Sequence, residues 1–187
     1  MEGEALLQKF RDLGALLEGH FLLRSGLHSR QFFQCAQMLK HPQLCSEICA
    51  SLAEKCREIE ADAVISPALG GILVGHEVAR HLNKPHIFAE KKEGVLGVRR
   101  FQISEFSRYL VAEDVVTTGS AVKEVCQIVR DGGAEVAGVA SIVDRSGDQV
   151  PDFGAPFIRL LKMQVETFEA DAIPDDLKDV PAVKPGS

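Results

Sequence analysis

The sequence predicts an α/β protein in which a parallel sheet is flanked by helices on both faces. From residue 61 onward, short apolar runs alternate with segments of helical periodicity, and the candidate strands are AVISP, HIFAE, RYLVAED and EVAGVASIVD. Strands that alternate with helices form parallel sheets, because each helix is the crossover between two neighbouring strands. The last run is apolar throughout, which is typical of a strand buried on both faces.

The chain has the size of one domain. Its 187 residues are 45% hydrophobic and 26% charged, which suits one globular domain and is short for two. We expect a single domain over 1–187, with an N-terminal segment at 1–40, an α/β core at 41–170 and a C-terminal tail at 171–187. The tail is rich in proline and charge and is expected to be frayed.

Apolar spacing and turn residues suggest the remaining elements. Residues 4–19 place leucines and a phenylalanine on one stripe, which predicts a helix that ends at Gly19. Residues 20–35 predict two short strands around a Ser-Gly bend, and a helix is expected over 42–60. The polar and basic stretch KKEGVLGVRR contains two glycines and predicts a loop.

The charge balance and the N-terminus argue against several classes of protein. The formal net charge is −6, from 27 acidic and 21 basic residues, whereas general nucleic-acid binders carry a basic excess. No apolar run approaches the roughly 18 residues of a membrane span, and the N-terminus lacks the basic start of a signal peptide. We expect a cytoplasmic protein that binds neither nucleic acid nor membrane.

Five cysteines, an odd number in a chain expected to be cytoplasmic, argue against a disulfide framework. Cys45, Cys49 and Cys56 follow helical spacing beside apolar residues, which predicts buried thiols on one helix face. A metal site is the alternative, but no CxxC pair supports it.

Three glycine-containing loops follow candidate strands, namely SPALGG at 66–71, EDVVTTGS at 113–120 and DRSGD at 144–148. Right-handed crossovers place such loops on one edge of the sheet, and open α/β sheets bind their ligands there. We therefore expect the three loops to meet in one crevice.

The VVTTGS turn joins a strand to a helix and can hold an anion. The helix N-terminus offers free N–H groups, Thr117, Thr118 and Ser120 add hydroxyl donors, and Gly119 allows a close backbone approach. A monophosphate fits such a cradle. The alternative is an ordinary helix cap formed by a threonine or a serine.

Glu113 and Asp114 stand side by side immediately before this turn. Carboxylates repel a phosphate but accept hydrogen bonds from hydroxyl groups. A sugar phosphate satisfies both requirements, because its phosphate can lie on the turn while its hydroxyls face the acids. The alternative is one solvated carboxylate and one partner of the helix cap.

With these flanks, AEDVVTTGSA resembles the phosphoribosyl-pyrophosphate (PRPP) motif of the type I phosphoribosyltransferases. Three further segments are similar, in matching order, to segments of orotate phosphoribosyltransferases: GHFLLRSGLHSRQFFQCAQML, SPALGGILVGHEVAR and VASIVDRSGD. The resemblance spans residues 18–168. It implies the type I phosphoribosyltransferase fold, a parallel sheet flanked by helices with a small N-terminal hood formed by residues 1–40.

The resemblance also implies a reaction and its ligands. Orotate phosphoribosyltransferases transfer ribose 5-phosphate from PRPP to N1 of orotate, forming orotidine 5′-monophosphate and pyrophosphate in pyrimidine biosynthesis. Mg²⁺ is bound alongside the pyrophosphate and not directly by the protein, and family members are generally homodimers. Two alternatives share the fold: a PRPP-binding regulator, and a phosphoribosyltransferase for another base.

The matching positions imply roles for the PRPP motif. The acids would meet the ribose hydroxyls, the backbone after them would hold the 5′-phosphate, and the glycine pair of SPALGG would present amides to the pyrophosphate. The residues implied are Glu113, Asp114, Val115, Val116, Thr117, Thr118, Gly119, Ser120, Ala121, Gly70 and Gly71.

Five positions match residues that approach orotate. Thr117 and Arg145 would contact it directly, since a guanidinium can pair with a carboxylate through two hydrogen bonds. Phe32 and Phe33 match an aromatic pair beside the pyrimidine, and Arg24 matches a basic position that can reach the site. The alternatives are a surface or aspartate-paired arginine for Arg145 and a place in the core for the phenylalanines.

Two features depart from the family pattern. Gly70 stands where many members have a lysine, and KKEGVLGVRR lacks the Asp-His-Gly run of the mobile catalytic loop that many members carry. The stretch resembles a branch with a shorter loop ending in an Arg-Arg pair, so no catalytic histidine is implied. Its cations could neutralise the departing pyrophosphate or could belong to an ordinary solvated loop; they are Lys91, Lys92, Arg99 and Arg100.

Overall fold

The computed structural model describes residues 3–23 and 25–184, and it has the predicted α/β architecture. The helices are α1 Gly3–Asp12, α2 Ala36–Leu39, α3 Pro42–Lys55, α4 Gly70–Leu82, α5 Ser120–Asp131 and α6 Asp175–Lys178. The strands are β1 Leu16–Leu22, β2 His28–Phe33, β3 Ala63–Pro67, β4 His86–Lys92, β5 Val95–Gly97, β6 Arg108–Val116, β7 Glu135–Asp144, β8 Phe157–Lys162 and β9 Thr167–Phe168. Among the helices of these residues, none is both long and apolar enough to cross a membrane.

The main sheet has six strands in the order β5-β4-β3-β6-β7-β8. Five of them are parallel, and β5 pairs with β4 in the antiparallel direction. Every residue of β3 is buried, as expected for a central strand covered on both faces. The predicted fold class is therefore confirmed.

Helices cover both faces of this sheet. On one face, α1, α3 and α4 pack in a cluster that includes Phe10, Ile48, Val78 and Leu110. On the other face, α5 packs against Tyr109 and its neighbours. The apolar stripe of α5 supplies this contact through Val122, Val125, Cys126 and Val129. These two packing layers hold the carboxyl ends of the strands in fixed positions.

A second, antiparallel sheet, which we call the hood, has the strand order β1-β2-β9. Because β9 comes from the C-terminal part of the chain, the hood contains more than the first 40 residues. It is built from segments far apart in sequence.

The C-terminal tail packs on the hood, although the sequence predicts a frayed tail. Leu177 of α6 is buried, and the Arg30 guanidinium binds the Asp176 carboxylate through both Nη atoms. The Leu22 N–H donates to the Val183 carbonyl at 2.9 Å. The prediction is wrong there because the partners of these residues lie about 150 positions earlier in the chain, beyond any local pattern.

The first helix ends at Asp12 and not at the predicted Gly19. Gly14 has a left-handed φ of 66°, and the Ala15 N–H donates to the Phe10 carbonyl at 2.8 Å, which closes the helix. The predicted boundary is wrong because the leucines after Gly14 alternate in β1 instead of continuing the helical stripe. Helix α3 likewise ends before the predicted residue 60.

Residues 91–97 form part of a β-hairpin, whereas the sequence predicts a loop. Strand β4 continues to Lys92, which pairs with Val95 of β5. The connecting residues Glu93 and Gly94 have φ of 54° and 82°, and a two-residue turn with positive φ at both positions matches the twist of a hairpin. The loop prediction is wrong because glutamate rarely adopts positive φ, so residue type does not reveal the turn.

The prediction of buried thiols is confirmed for Cys45, Cys49 and Cys56. Buried and free in the structure are Cys35, Cys45, Cys49, Cys56 and Cys126. Four of them belong to the same core cluster, and three of these, Cys45, Cys49 and Cys56, lie along α3 and its C-terminal end, as the helical spacing predicts.

Candidate active site

The carboxyl ends of β3, β6 and β7 bring the three predicted loops together. These strands are parallel neighbours, so their ends share one edge of the sheet. The Asp114 carboxylate lies against the backbone of Gly70, and the Arg145 N–H donates to the Val116 carbonyl at 2.7 Å. The three loops are therefore neighbours at this edge of the sheet.

The turn after β6 has the geometry of an anion site. Helix α5 begins at Ser120, directly after Gly119, whose φ is 73°. The hydroxyl oxygens of Thr118 and Ser120 lie 2.6 Å apart, and the Thr117 side chain is exposed. Hydroxyl groups and the first amides of a helix therefore face the same space, where a phosphate would be stabilised.

The other predicted residues of this turn can offer only their main chain to a ligand. Val116 is buried in the core, and Val115 packs against the opposite core cluster. Ala121 is half-buried in the first turn of α5. Their side chains anchor the turn, which keeps the backbone amides in place.

Glu113 and Asp114 form a compact acidic pair at the end of β6. Glu113 is buried and its Oε1 accepts the Asp114 N–H at 3.1 Å, while Asp114 Oδ1 accepts the Val115 N–H at 2.8 Å. Burial, and next the Asp114 charge, raise the pKa of Glu113 well above its ordinary value. Glu113 therefore keeps its proton to a higher pH than an exposed glutamate does.

The loop after β3 is anchored from below by a buried serine. Ser66 Oγ and His86 Nε2 lie 2.8 Å apart, and a Cβ on Gly75 would come within 2.8 Å of Ser66 Oγ. Burial, together with the charge of His76, lowers the pKa of His86 to about 4. This histidine is thus neutral at ordinary pH and serves to support the loop.

A cleft of about 750 Å³ lies between the turn after β6 (residues 117–120), the loop after β7 and the hood. We call the first of these the phosphate turn. Thr117, Thr118 and Arg145 line it from the main sheet, and Leu27 and Thr167 line it from the hood. The Arg145 Nε is buried and has no hydrogen-bond partner within the described part of the chain. Burial lowers the pKa of Arg145, so an anionic ligand would relieve the cost of desolvating this cation.

Asp144, which precedes this arginine, has other partners. Its Oδ1 accepts the N–H and the hydroxyl of Ser146 at 2.9 and 2.6 Å. Arg159 Nε lies 3.3 Å from its Oδ2, within ion-pair distance but outside hydrogen-bond geometry. Because Asp144 already interacts with Ser146 and Arg159, it does not pair with Arg145, whose side chain lines the cleft.

The predicted aromatic pair is not a single surface of the cleft. The Phe33 side chain is buried in the core, with its ring edge-to-face against Phe10 at 5.0 Å between centroids. The Phe32 ring packs near Phe21 at 5.8 Å. Adjacent strand residues point to opposite sides, so both rings cannot face one ligand. The predicted Arg24 lies outside the residues that the structure describes.

Some residues of the cleft were not among the sequence-derived candidates. Lys123, on the first turn of α5, lines the cleft beside the phosphate turn, as do Leu27 and Thr167 of the hood. The position of Lys123 three residues after Ser120 is a usable signal, because it keeps the lysine near the helix N-terminus. No local signal marks the hood residues.

The predicted catalytic cations lie on and after the hairpin and are not among the walls of the cleft. Exposed in the structure are Lys91, Lys92, Arg99 and Arg100. Arg100 Nε pairs with Glu90 Oε1 at 3.0 Å. The base of the hairpin adjoins the loop after β3, because the Ala68 N–H donates to the Ala89 carbonyl at 2.8 Å.

Comparison with known sequences agrees with this geometry. The phosphoribosyl transferase domain family matches residues 35–172. An orotate phosphoribosyltransferase of Caldicellulosiruptor bescii is 47% identical over 188 aligned positions, covering 100% of this chain and 98% of that protein. One of Carboxydothermus hydrogenoformans is 48% identical, covering 97% and 96%.

Solved structures share the fold. Orotate phosphoribosyltransferase from Aeropyrum pernix superimposes with a TM-score of 0.70 at 22% identity, covering 84% of this chain and 93% of that one. Adenine phosphoribosyltransferase from Thermoanaerobacter pseudethanolicus gives 0.61 at 17%, covering 71% and 88%. With its phosphate turn, its acidic pair and near-half identity along its whole length, the chain belongs to the orotate phosphoribosyltransferase family of the phosphoribosyl transferase domain.

Proposed function

We propose that the protein transfers ribose 5-phosphate from PRPP to N1 of orotate, forming orotidine 5′-monophosphate and pyrophosphate for pyrimidine biosynthesis. The observation that carries this assignment is the meeting, at one edge of the sheet, of a phosphate turn, an acidic pair and the unpartnered Arg145. Membership of the orotate phosphoribosyltransferase family supports it.

Three parts of the protein would each bind a different part of the donor PRPP. The amides and hydroxyls from Thr117 to Ser120 hold the 5′-phosphate, because they lie at the positive end of α5. Glu113 and Asp114 face the ribose hydroxyls, and a protonated Glu113 can donate as well as accept. The backbone amides of Gly70 and Gly71 would face the pyrophosphate.

The acceptor would lie in the cleft beside Arg145. A planar guanidinium with free donors can bind the orotate carboxylate through two hydrogen bonds. Thr117 lines the same cleft and can contact the pyrimidine. Of the two phenylalanines, Phe32 is the one outside the core, and Arg24 keeps its proposed role as a cation that can reach the site.

Catalysis would depend on positioning and on charge. Breaking the bond between C1 and the pyrophosphate leaves positive charge on the ribose, and deprotonated N1 of orotate attacks from the opposite side. Lys91, Lys92, Arg99 and Arg100 follow the edge strand next to the pyrophosphate loop, so movement of the hairpin could place cations on the leaving group. The fixed cleft and the hairpin together would exclude water from C1.

Mg²⁺ is the cofactor that this chemistry requires. Within residues 3–23 and 25–184, no group of three or more His, Cys, Asp or Glu side chains is arranged to hold a metal ion. The carboxyl oxygens of the acidic pair are nevertheless the hard donors that Mg²⁺ prefers. Bound to PRPP oxygens, the ion would supply positive charge to the diphosphate. We further propose a cytoplasmic homodimer that uses no nucleic-acid or membrane partner.

Steady-state kinetics of Arg145→Ala with PRPP, Mg²⁺ and orotate test the assignment. We expect KM for orotate to rise about 100-fold, the effect of losing a charge-assisted pair, with the Kd of PRPP nearly unchanged. Arg57→Ala, which removes an exposed arginine paired with Glu54, is the matched control and should behave as the wild type.

The same assay separates the alternatives that share this fold. A protein that binds PRPP but consumes no orotate would be a regulator, and one that consumes adenine or guanine in place of orotate would act on another base. Either result would overturn the assignment.

A further inference from the structure

The loop after β3 ends at Gly70 and Gly71, and the two acids of β6, Glu113 and Asp114, lie over its backbone there. A Cβ added to Gly70 would lie 2.8 Å from Asp114 Cγ and 3.3 Å from Asp114 Oδ1. A Cβ added to Gly71 would lie 2.7 Å from Glu113 Oε1. Each glycine thus leaves a space that one carboxyl group fills.

The two glycines differ in what surrounds them. At Gly71, a Cβ would also approach Pro67 Cδ at 3.2 Å and the Ala112 carbonyl at 3.4 Å, so the packing there is tight on several sides. At Gly70, the three nearest atoms all belong to Asp114. The nearest neighbour of the missing side chain is therefore a residue of the acidic pair.

Backbone conformation does not explain the glycine at position 70. Its φ is not positive, and it begins a regular helix of 13 residues. Alanine would be preferred to glycine in a helix on intrinsic propensity. The space above the backbone, which Asp114 fills, is a feature that favours glycine at this position.

Asp114 is held in that space from two other directions. Its Oδ1 accepts the Val115 N–H at 2.8 Å. The buried Cys35 thiol lies beside it, and after burial the Asp114 charge is the next cause that raises the pKa of Cys35, so the thiol stays protonated as a weak donor. The carboxylate is thus confined between β6, the core and residue 70.

We propose that Gly70 is a positioning residue for Asp114: the absence of a side chain at position 70 sets where this carboxylate meets the ribose of PRPP. The proposal rests on the ribose-binding role of Asp114 given above. It differs from a direct role for Gly70, in which the glycine only lets backbone amides approach the pyrophosphate.

A double-mutant cycle separates these roles. The proteins are the wild type, Gly70→Ala, Asp114→Ala and the double variant, and calorimetry gives the Kd of PRPP in the presence of Mg²⁺. In the wild-type background, we expect Gly70→Ala to raise the Kd of PRPP about tenfold. In the Asp114→Ala background, we expect the same substitution to leave the Kd unchanged. An equal penalty in both backgrounds would overturn the proposal.

Pyrophosphate with Mg²⁺ is the second probe, and it serves even where Asp114→Ala binds PRPP too weakly to measure. Pyrophosphate lacks the ribose, so Gly70→Ala should weaken its binding much less than it weakens the binding of PRPP. A tenfold loss of pyrophosphate affinity would assign Gly70 to the phosphates directly and overturn the proposal.

Two further results distinguish this proposal from its premise. If Asp114→Ala leaves the affinity for PRPP unchanged, the ribose role of Asp114 fails and the proposal fails with it. If Asp114→Ala weakens PRPP but Gly70→Ala does not, only the positioning role is wrong. Leu73→Ala, at a half-exposed side chain one turn along α4, controls for general effects on this helix and should bind PRPP as the wild type does.

Discussion

The N–H of Arg145 donates to the carbonyl of Val116 at 2.7 Å, which joins the loop that faces the cleft to the strand that ends in the phosphate turn. This bond continues the ladder between β6 and β7 by one residue. A rigid connection of this kind fixes the distance between the turn after β6 and the loop after β7, because both leave the sheet from adjacent strand ends.

Gly119 is the first position at which this arrangement can be tested. Its φ is 73°, and a Cβ there would lie 2.8 Å from Pro151 Cγ and 3.1 Å from Phe153 Cε1. We expect Gly119→Ala to lower the free energy of unfolding by about 2–4 kcal/mol, from left-handed strain plus overpacking, and to weaken PRPP binding. Urea unfolding and calorimetry measure the two effects.

Gly133→Ala is the control for the strain by itself. Gly133 has φ of 83° but nothing within 4 Å of an added Cβ, and it lies at the far end of α5. The Gly133→Ala variant should lose about 1–2 kcal/mol of unfolding free energy, from strain only, and should keep its affinity for PRPP. Equal losses in the two variants would show that the contact with Pro151 does not matter.

Glu113 should make the protein less stable as the pH rises. Burial first, and Asp114 next, raise the pKa of Glu113 above its ordinary 4.5, so the folded state keeps a proton that the unfolded state loses. Above that pH, this residue should lower the free energy of unfolding by up to about 1.4 kcal/mol per pH unit until the folded-state pKa is passed. Glu113→Gln cannot ionise and should become the more stable protein at alkaline pH.

Urea unfolding of Glu113→Gln and the wild type between pH 5 and 9 measures this difference. Parallel stability profiles for the two proteins would mean that Glu113 titrates normally.

His86 should act in the opposite direction at acid pH. Burial, followed by the charge of His76, lowers the pKa of His86 from 6.5 to about 4. The unfolded chain therefore takes up a proton first, and stability should fall as the pH drops from 6.5 to 4, by on the order of 2 kcal/mol for a partly buried group.

His86→Gln should flatten this part of the stability profile in thermal unfolding at several pH values. It keeps a polar partner for Ser66, which limits any other damage. His41→Gln, at an exposed histidine, should leave the acid dependence of the wild type unchanged. A wild-type profile retained by His86→Gln would contradict the assignment.

The tail should contribute to the stability of the hood. Leu177 is 6% exposed and belongs to the segment that carries the Asp176 partner of Arg30. Leu177→Ala should cost about 2–3 kcal/mol of unfolding free energy, and it should open the hood to limited proteolysis. Lys178→Ala, at an exposed position beside it, should have little effect. If Leu177→Ala left the free energy of unfolding unchanged, the tail would pack on the hood without stabilising it.

Local patterns predicted strands β3, β4, β6 and β7 and helices α4 and α5, because their apolar spacing is regular over each element. They failed at the end of α1 and at the hairpin. The structure of both segments depends on the left-handed conformation of Gly14 and of Glu93, which the spacing of apolar residues does not predict. Leu16 and Leu17 fit either a helical stripe or a strand until the helix is known to end.

For the site, the sequence by itself determined the acidic pair and the phosphate turn, since these groups are contiguous and follow a single strand. The tertiary structure decided what lies across from them: Asp114 on the backbone of Gly70, Arg145 left unpartnered because Asp144 has Ser146 and Arg159, and Phe33 turned into the core. The physical reason is that contacts between distant residues depend on which strands become neighbours. That order follows from the packing of the entire core and not from any one segment.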